Sequence, residues 1–406
     1  MKILYFHQHF CIPKGGGGVR SYYMAKKLIA RGHNVTMVCG SFGGLLTGLD
    51  HNFVRGKREG FVDGIYVIEL DIPYSNSTSF LKRAWLFFTF ATRSTFIALF
   101  HKTDLLLATS TPLTAGIPGI ITRWLKWTPF IFEVRDLWPE LPREMKVITN
   151  PVILGLMSAL EWINYKSARR LIGLSPGIIE GIKSRNIPSD KITLIPNGCD
   201  LDIFKHVNAK WRPEGVKESD LMAVFTGTHG LANGLDAILD AAAVLKNLGH
   251  DHIKFVLIGQ GSTKAALQAR ASQENLDNII FLDPVPKSQL AKLMKGADLG
   301  LQILANVSAF YYGTSPNKFF DYLSSGLPIL TNYPGWVANL INENECGYVV
   351  VPESSKAFAE AICHAANNKE ALITMGENAA KLGKREFSRD DLSDRFALWL
   401  EDAMHK

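Results

Sequence analysis

Twice along the 406 residues, short continuous apolar runs alternate with stretches of helical periodicity, and a polar, turn-rich segment divides the two series. Runs that are apolar on both faces suit strands covered by helices on either side, which is the habit of parallel sheets. The first series predicts strands at 2–10, 33–39, 65–70, 104–108, 129–134, 170–174 and 192–195, with a helix over 19–30 after the first. Pro196-Asn197-Gly198-Cys199-Asp200 and the polar stretch 205–220 then read as a linker. A second series predicts strands at 222–226, 254–258, 279–282, 299–303 and 347–350, with helices at 235–248, 262–274 and 287–295. The expected fold class is therefore α/β, with two Rossmann-like doubly wound parallel-sheet domains at 1–200 and 201–385. Residues 386–406 are expected to form a helix that returns to the first domain. Ligands of such sheets bind outside the carboxyl ends of the strands, so two facing sheets predict an interdomain cleft.

The loops after these strands carry phosphate-binding chemistry. Gly15 to Gly18 lies between a strand and a helix, where bare backbone N–H groups can approach a diphosphate. Arg20 and Ser21 stand where a dinucleotide fingerprint needs its third glycine, and the second strand ends without an acid for ribose, so NAD binding is not indicated. A P-loop is absent as well. Near the end of the second series, Gly313-Thr314-Ser315-Pro316-Asn317-Lys318 leads into a short helix, a Gly turn and a buried strand. Ser315 is the expected N-cap and Pro316 is placed in the first turn, giving an anion site to which Lys318 adds charge. Asp321, on the same face, can accept hydroxyl hydrogen bonds. On these residues alone, an ordinary capped helix with solvated Lys and Asp remains equally open.

Charge is asymmetric. Residues 1–200 hold 24 Lys/Arg against 14 Asp/Glu, and residues 201–406 hold 20 against 24, so a net +6 chain has a basic first half. Such a half favours an anionic surface, and the segment 80–102, with aromatic bulk between basic ends, favours membrane over nucleic acid. Arg93 near its middle argues against a spanning helix. Burial on a sheet face is the competing reading of the segment; Trp124, Lys126 and Trp127 extend the same surface if it meets lipid. Five dispersed cysteines with no Cys-x-x-Cys predict neither disulfides nor zinc and suit a reducing compartment. A strand-like start without a signal-peptide h-region predicts a chain not exported by that route.

The ordered set of segments resembles the retaining glycosyltransferases of the GT-B fold, family 4, in the branch of the WbuB-type sugar transferases of bacterial surface-polysaccharide assembly. The matching pieces are Gly15 to Gly18 with Arg20, Glu133-Val134-Arg135-Asp136-Leu137-Trp138-Pro139-Glu140, Leu174-Ser175-Pro176-Gly177, Ile195-Pro196-Asn197-Gly198-Cys199-Asp200, Ile258-Gly259-Gln260-Gly261, and Ser315-Pro316-Asn317-Lys318 through Gly326-Leu327-Pro328.

This resemblance implies a nucleotide-sugar donor, UDP-linked by expectation, in the C-terminal domain and a polyprenyl-diphosphate-linked acceptor in the N-terminal domain. It further implies a peripheral location on the cytoplasmic face of the membrane. Donor contacts are expected from Gly16, Gly17, Gly18, Thr228, Gly259, Val285, Thr314, Ser315, Asn317, Lys318 and Asp321, with Asp321 on the ribose. Acceptor contacts are expected from His9, Arg20 and Glu133. Catalytic roles fall to Glu133, Arg135, Asp136 and Lys318, through front-face displacement with retained configuration and no metal or other cofactor. Gly313 stands where the family places the first Glu of its Glu-x7-Glu element, and Thr228 and Asn233 replace a family Arg and Lys. Those departures keep open a catalytically silent nucleotide-sugar-binding subunit. An epimerase of the same fold is a further alternative.

Overall fold

The computed structural model describes the chain except for Gly16, Gly44, Leu45, Ser75, Asn76, Ser77, His206, Asn208, Lys406 and the side chains of Phe80 and His405. The chain divides into two compact units. Met1–Asn197, Tyr312–Ser315 and the chain from Asp390 on make the first; Gly198–Tyr311 and Pro316–Arg389 make the second.

In the first unit, β1 (Lys2–Phe6), β2 (Asn34–Phe42), β3 (Lys57–Val62), β4 (Ile65–Tyr74), β5 (Leu105–Thr109), β6 (Phe130–Val134), β7 (Arg170–Gly173) and β8 (Ile192–Leu194) form one sheet. Their order is β3-β4-β2-β1-β5-β6-β7-β8, parallel except for β3 against β4. Alternate residues feed opposite faces of the sheet. Leu4, Phe6, Leu106, Phe130 and Phe132 enter one core, while Ile3, Tyr5, Leu105, Leu107 and Ile131 enter the other. Helix Arg389–His405 delivers Leu392, Phe396 and Leu400 to the second of these cores. Ion pairs from Lys27 to Asp394 at 2.9 Å and from Arg31 to Glu401 at 2.7 Å line its edge.

The second unit has β9 (Leu221–Thr226), β10 (Ile253–Ile258), β11 (Ile279–Leu282), β12 (Leu299–Gln302), β13 (Ile329–Thr331) and β14 (Gly347–Val349), ordered β11-β10-β9-β12-β13-β14 and all parallel. Each sheet reverses direction once, between β1 and β5 and between β9 and β12. Loops diverge at these switch points and leave a crevice at the carboxyl ends of the strands.

Two details differ from the sequence expectation. β3 was not expected, because an edge strand reading Lys-Arg-Glu-Gly-Phe-Val faces water and lacks an apolar run. The first strand stops at Phe6 rather than residue 10, since Phe10 N–H turns back to the His7 carbonyl at 3.2 Å and begins the ligand-edge loop.

Candidate active site

At the carboxyl edge of the first unit, the loops after β1, β5 and β6 bring Arg20, Glu133, Arg135 and Asp136 close together. Arg20 opens helix Arg20–Ala30 and is 2% exposed; its Nε donates to Glu133 Oε2 at 2.9 Å. Its remaining nitrogens donate to the carbonyls of Pro196 at 2.5 Å and Ile195 at 2.8 Å. Glu133 is fully buried and also accepts from Thr109 Oγ1 at 2.8 Å and Arg135 Nε at 3.3 Å. Burial opposes its ionisation, but the Arg20 and Arg135 charges outweigh burial and hold its carboxyl below the usual range. Arg20 and Glu133 were expected to touch the acceptor. In the structure their polar groups bond to one another and to neighbouring atoms, Arg135 among them.

Arg135 is held from three sides. Its N–H donates to Ser110 Oγ at 2.8 Å, its Nη2 to Ser21 Oγ at 3.2 Å and its Nε to Glu133. Asp136 accepts from Thr111 Oγ1 at 3.1 Å, and burial raises its pKa above the ordinary carboxylate value.

The residues just after β1 are polar and enclosed. His7 Nδ1, His9 Nδ1 and both side-chain polar atoms of Gln8 are buried without a hydrogen-bond partner among the described residues. Enclosed polar atoms of this kind ask for water or ligand. The His9 ring lies 4.9 Å from Tyr74 and 5.3 Å from Phe42, and burial, with the Arg135 charge second, pushes its pKa down to about 4. His9 is thus neutral near pH 7, and it cannot act there as a cation toward a phosphate. Gln8 was missed in the sequence because a lone Gln at a strand end carries no pattern. Gly17 and Gly18 follow in the same loop, where the Gly18 carbonyl accepts from Cys11 Sγ at 3.6 Å. Gly16 lies outside the described residues.

In the second unit the loops after β9, β10 and β11 are stitched to one another. His229 N–H donates to the Gln260 carbonyl at 3.0 Å, Thr263 N–H to the His229 carbonyl at 3.0 Å and Gly259 N–H to the Leu282 carbonyl at 3.2 Å. A Cβ on Gly259 would sit 1.7 Å from the Gly227 carbonyl oxygen, so only glycine allows this approach, and its φ of +155° fits that need. The resulting rim holds a depression of about 580 Å³ lined by Gln260, Gly261, Lys264, Phe281 and Asp283. Lys264 pairs with Asp283 at 2.7 Å. Val285 is half-buried in the loop that follows β11.

Lys318 is the second residue of helix Asn317–Ser325, and it reaches Asn233 Oδ1 at 2.8 Å with its Nζ 4.2 Å from the centre of the Phe225 ring. Asn233 in turn donates to the Thr228 carbonyl at 2.7 Å, which links Thr228, Asn233 and Lys318 in one hydrogen-bonded chain. No acidic group pairs with Lys318 among the described residues, and burial lowers its pKa to about 7.

The predicted cap of this helix is corrected. Pro316 occupies the cap position, with no side-chain cap bond. Ser315, placed with Thr314 in the first unit, uses its Oγ to accept Asn197 N–H at 3.0 Å and its carbonyl to accept Asn197 Nδ2 at 2.6 Å. The N–H groups of the first helical turn, Asn317 included, are therefore not consumed by a serine cap.

Asp321 is not the solvated carboxylate of the competing reading, an ordinary capped helix. Its Oδ1 pairs with Lys287 Nζ at 3.1 Å, and Lys287 also pairs with Asp200, itself held by Arg389. Burial raises the Asp321 pKa, with Lys287 opposing. Accepting capacity remains on the carboxylate for a ribose hydroxyl, in an orientation fixed by Lys287. Lys287 was not singled out because an ion pair across 34 positions leaves no spacing to read. Gly313 ends helix Ser308–Gly313, and beyond its chain neighbours and its own helix backbone no described atom lies within 4 Å of where its Cβ would be. Among the described residues no cluster of three or more His, Cys, Asp or Glu is arranged to hold a metal.

Comparison with known proteins gives two family matches. The model for Glycosyltransferase Family 4 matches residues 14–203, and that for Glycosyl transferases group 1 matches residues 207–382. The chain is 24% identical over 257 residues to O-antigen chain mannosyltransferase C of Escherichia coli, covering 62% of this chain and 65% of that protein, so just under two thirds of that relative is spanned. It is 22% identical over 415 aligned positions to a putative colanic acid biosynthesis glycosyl transferase, WcaI, of Escherichia coli K12, covering 98% of each. Among solved structures, HepE of Anabaena in complex with UDP superposes with a TM-score of 0.67 at 14% identity, over 99% of this chain and 100% of that one. That likeness shows a shared fold.

Proposed function

Because the chain belongs to the GT-B glycosyltransferases, pairing a Family 4 domain with a group 1 domain, we propose that it moves a sugar from a nucleotide-sugar to a lipid-linked saccharide. UDP is the favoured nucleotide, and a polyprenyl-diphosphate-linked chain is the favoured acceptor. The product belongs to a bacterial surface polysaccharide, as the names of both relatives suggest. The observation that carries this reading is Lys318, a half-buried amine at a helix N-terminus with no acidic partner among the described residues. A cation placed where the helix dipole disfavours it, and left without a carboxylate, is suited to an incoming diphosphate.

In this mechanism the second unit holds the donor. Lys318, Asn317 and the first-turn N–H groups take the diphosphate, Asp321 the ribose, and the depression beside Gln260 and Phe281 the base. The first unit receives the acceptor, with the polar group His7, Gln8 and His9 near it and Arg135, braced by Glu133 and Arg20, aimed at phosphate. The acceptor hydroxyl attacks the anomeric carbon on the face that the diphosphate leaves. The bond from that carbon to the diphosphate oxygen breaks with its electron pair going to the oxygen, and the hydroxyl proton passes to the leaving phosphate, so configuration is retained. Lys318 and backbone N–H groups stabilise the developing charge without a metal. No described helix is long and apolar enough to cross a membrane. The exposed Leu81, Trp85, Phe88 and Phe96 of helix Phe80–Phe100 make peripheral attachment at the cytoplasmic face the favoured location.

The test is transfer. Full-length protein, a panel of UDP-, GDP- and dTDP-sugars and polyprenyl-diphosphate saccharides are incubated with and without EDTA, and the product anomer is read by NMR. Product with the donor's configuration, unaffected by EDTA, is expected. Nucleotide binding without transfer to any acceptor would favour the silent binding subunit, the reading that Gly313, Thr228 and Asn233 keep alive.

A further inference from the structure

Far from the catalytic edge, at the amino-terminal edge of the first unit's sheet, a depression of about 660 Å³ is lined by Arg123, Lys166, Arg169 and Lys191 with Trp124 and Trp127. Among the described residues no acidic side chain lines it. Two of these cations have a local explanation. Arg123 and Lys166 stand in the last turns of helices Ile117–Lys126 and Pro151–Ser167, where cations complement the dipole; they donate to the carbonyls of Trp127 at 3.0 Å and Asn186 at 2.8 Å. Arg169 and Lys191 have none. Arg169 lies outside any helix, Lys191 ends a single 3-10 turn, and the side chain of neither has a hydrogen bond or ion pair among the described residues. Four like charges around one hollow repel each other, and a bound anion removes that cost.

The rim identifies the source of the anion. Trp124, Leu125 and Trp127 are 60%, 67% and 76% exposed, as large apolar groups rarely are on a surface that meets only water. Tryptophan beside lysine and arginine is the composition of a membrane interface. A second depression is lined by Lys2, Lys102 and Lys126 with one acid, Asp104, beside Phe100, which is 84% exposed. We propose that the Arg123–Lys166–Arg169–Lys191 pocket holds the phosphate headgroup of an anionic phospholipid while Trp124 and Trp127 enter the bilayer interface. The site rests on the peripheral-membrane reading above and gives it a defined lipid contact.

Co-sedimentation with vesicles of phosphatidylcholine alone, or mixed with phosphatidylglycerol, tests it on the full chain. Each surface cation near an anionic leaflet contributes roughly fivefold in binding, so the Arg169→Gln/Lys191→Gln variant is expected to bind mixed vesicles roughly thirtyfold more weakly at an unchanged melting temperature. A Leu81→Ser/Trp85→Ser variant probes the membrane face without touching the pocket. If the charge variant binds like wild type while the Leu81/Trp85 variant is released, the pocket is refuted and membrane attachment stands. If wild type binds no vesicle of either kind, both fall. Displacement from mixed vesicles by millimolar glycerol phosphate at constant ionic strength would make the pocket a soluble-anion site and overturn the lipid assignment.

Discussion

Arg20 and Lys318 occupy equivalent places in the two units, each in the first turn of a helix at the carboxyl edge of a parallel sheet, and they have opposite surroundings. A cation there opposes the helix dipole, so each needs a compensating interaction. Arg20 has it within the fold, in Glu133 and two carbonyls. Lys318 has a neutral amide, the face of Phe225 and a pKa pushed down to about 7. Charge of the same sign in the same local setting is therefore compensated within the fold in one unit, while in the other the proposed mechanism leaves it to the donor diphosphate. What separates them is whether the structure itself supplies the counter-charge.

The largest effect expected from this contrast is on stability. Arg20→Met leaves Glu133 fully buried with its main counter-charge gone, and urea unfolding should show a loss of about 3–5 kcal/mol. A loss below 1 kcal/mol would mean that the pair is no brace. Next comes pH. Above about 7 the free Lys318 amine is largely neutral, whereas a bound diphosphate favours the ammonium, so binding takes up a proton and affinity falls as pH rises. Calorimetry should find the Kd for UDP rising by up to about tenfold per pH unit above 7, with the slope lost in Lys318→Met. A wild-type Kd that is flat from pH 7 to 9 contradicts the assignment. Lys318→Met should move stability by no more than about 1 kcal/mol, because no ion pair is broken; chemical denaturation distinguishes this from the Arg20 result. Smallest is Gly313→Ala. Open space and a φ outside the left-handed region predict a shift in the melting curve worth under about 0.5 kcal/mol.

Most of the fold was legible because buried parallel strands announce themselves as apolar runs; β9 is buried throughout and apolar from Leu221 to Phe225. β3 did not, its charged, water-facing residues being indistinguishable from a loop. Thr228 and Lys318 could be assigned to one edge because loops that follow the parallel strands of one sheet share it. Ser315 was misjudged as a cap because its hydroxyl is claimed by Asn197, 118 positions away. The ion pairs of Asp321 were not legible because Lys287 and Asp200 reach it only through the fold. Arg20 looked free for the same reason, with Glu133 lying 113 residues further along the chain. Sequence shows which charges exist, and long-range packing decides which are already neutralised.

The central claim is that Lys318 is the cation reserved for the donor diphosphate. Titration of UDP into wild type and Lys318→Met at pH 7 tests it most directly. A charge-assisted phosphate contact is worth about 1.5–3 kcal/mol, so the variant should bind roughly ten- to a hundredfold more weakly while Arg20→Lys, if folded, keeps near-wild-type affinity. Equal UDP affinity in wild type and Lys318→Met would contradict the account.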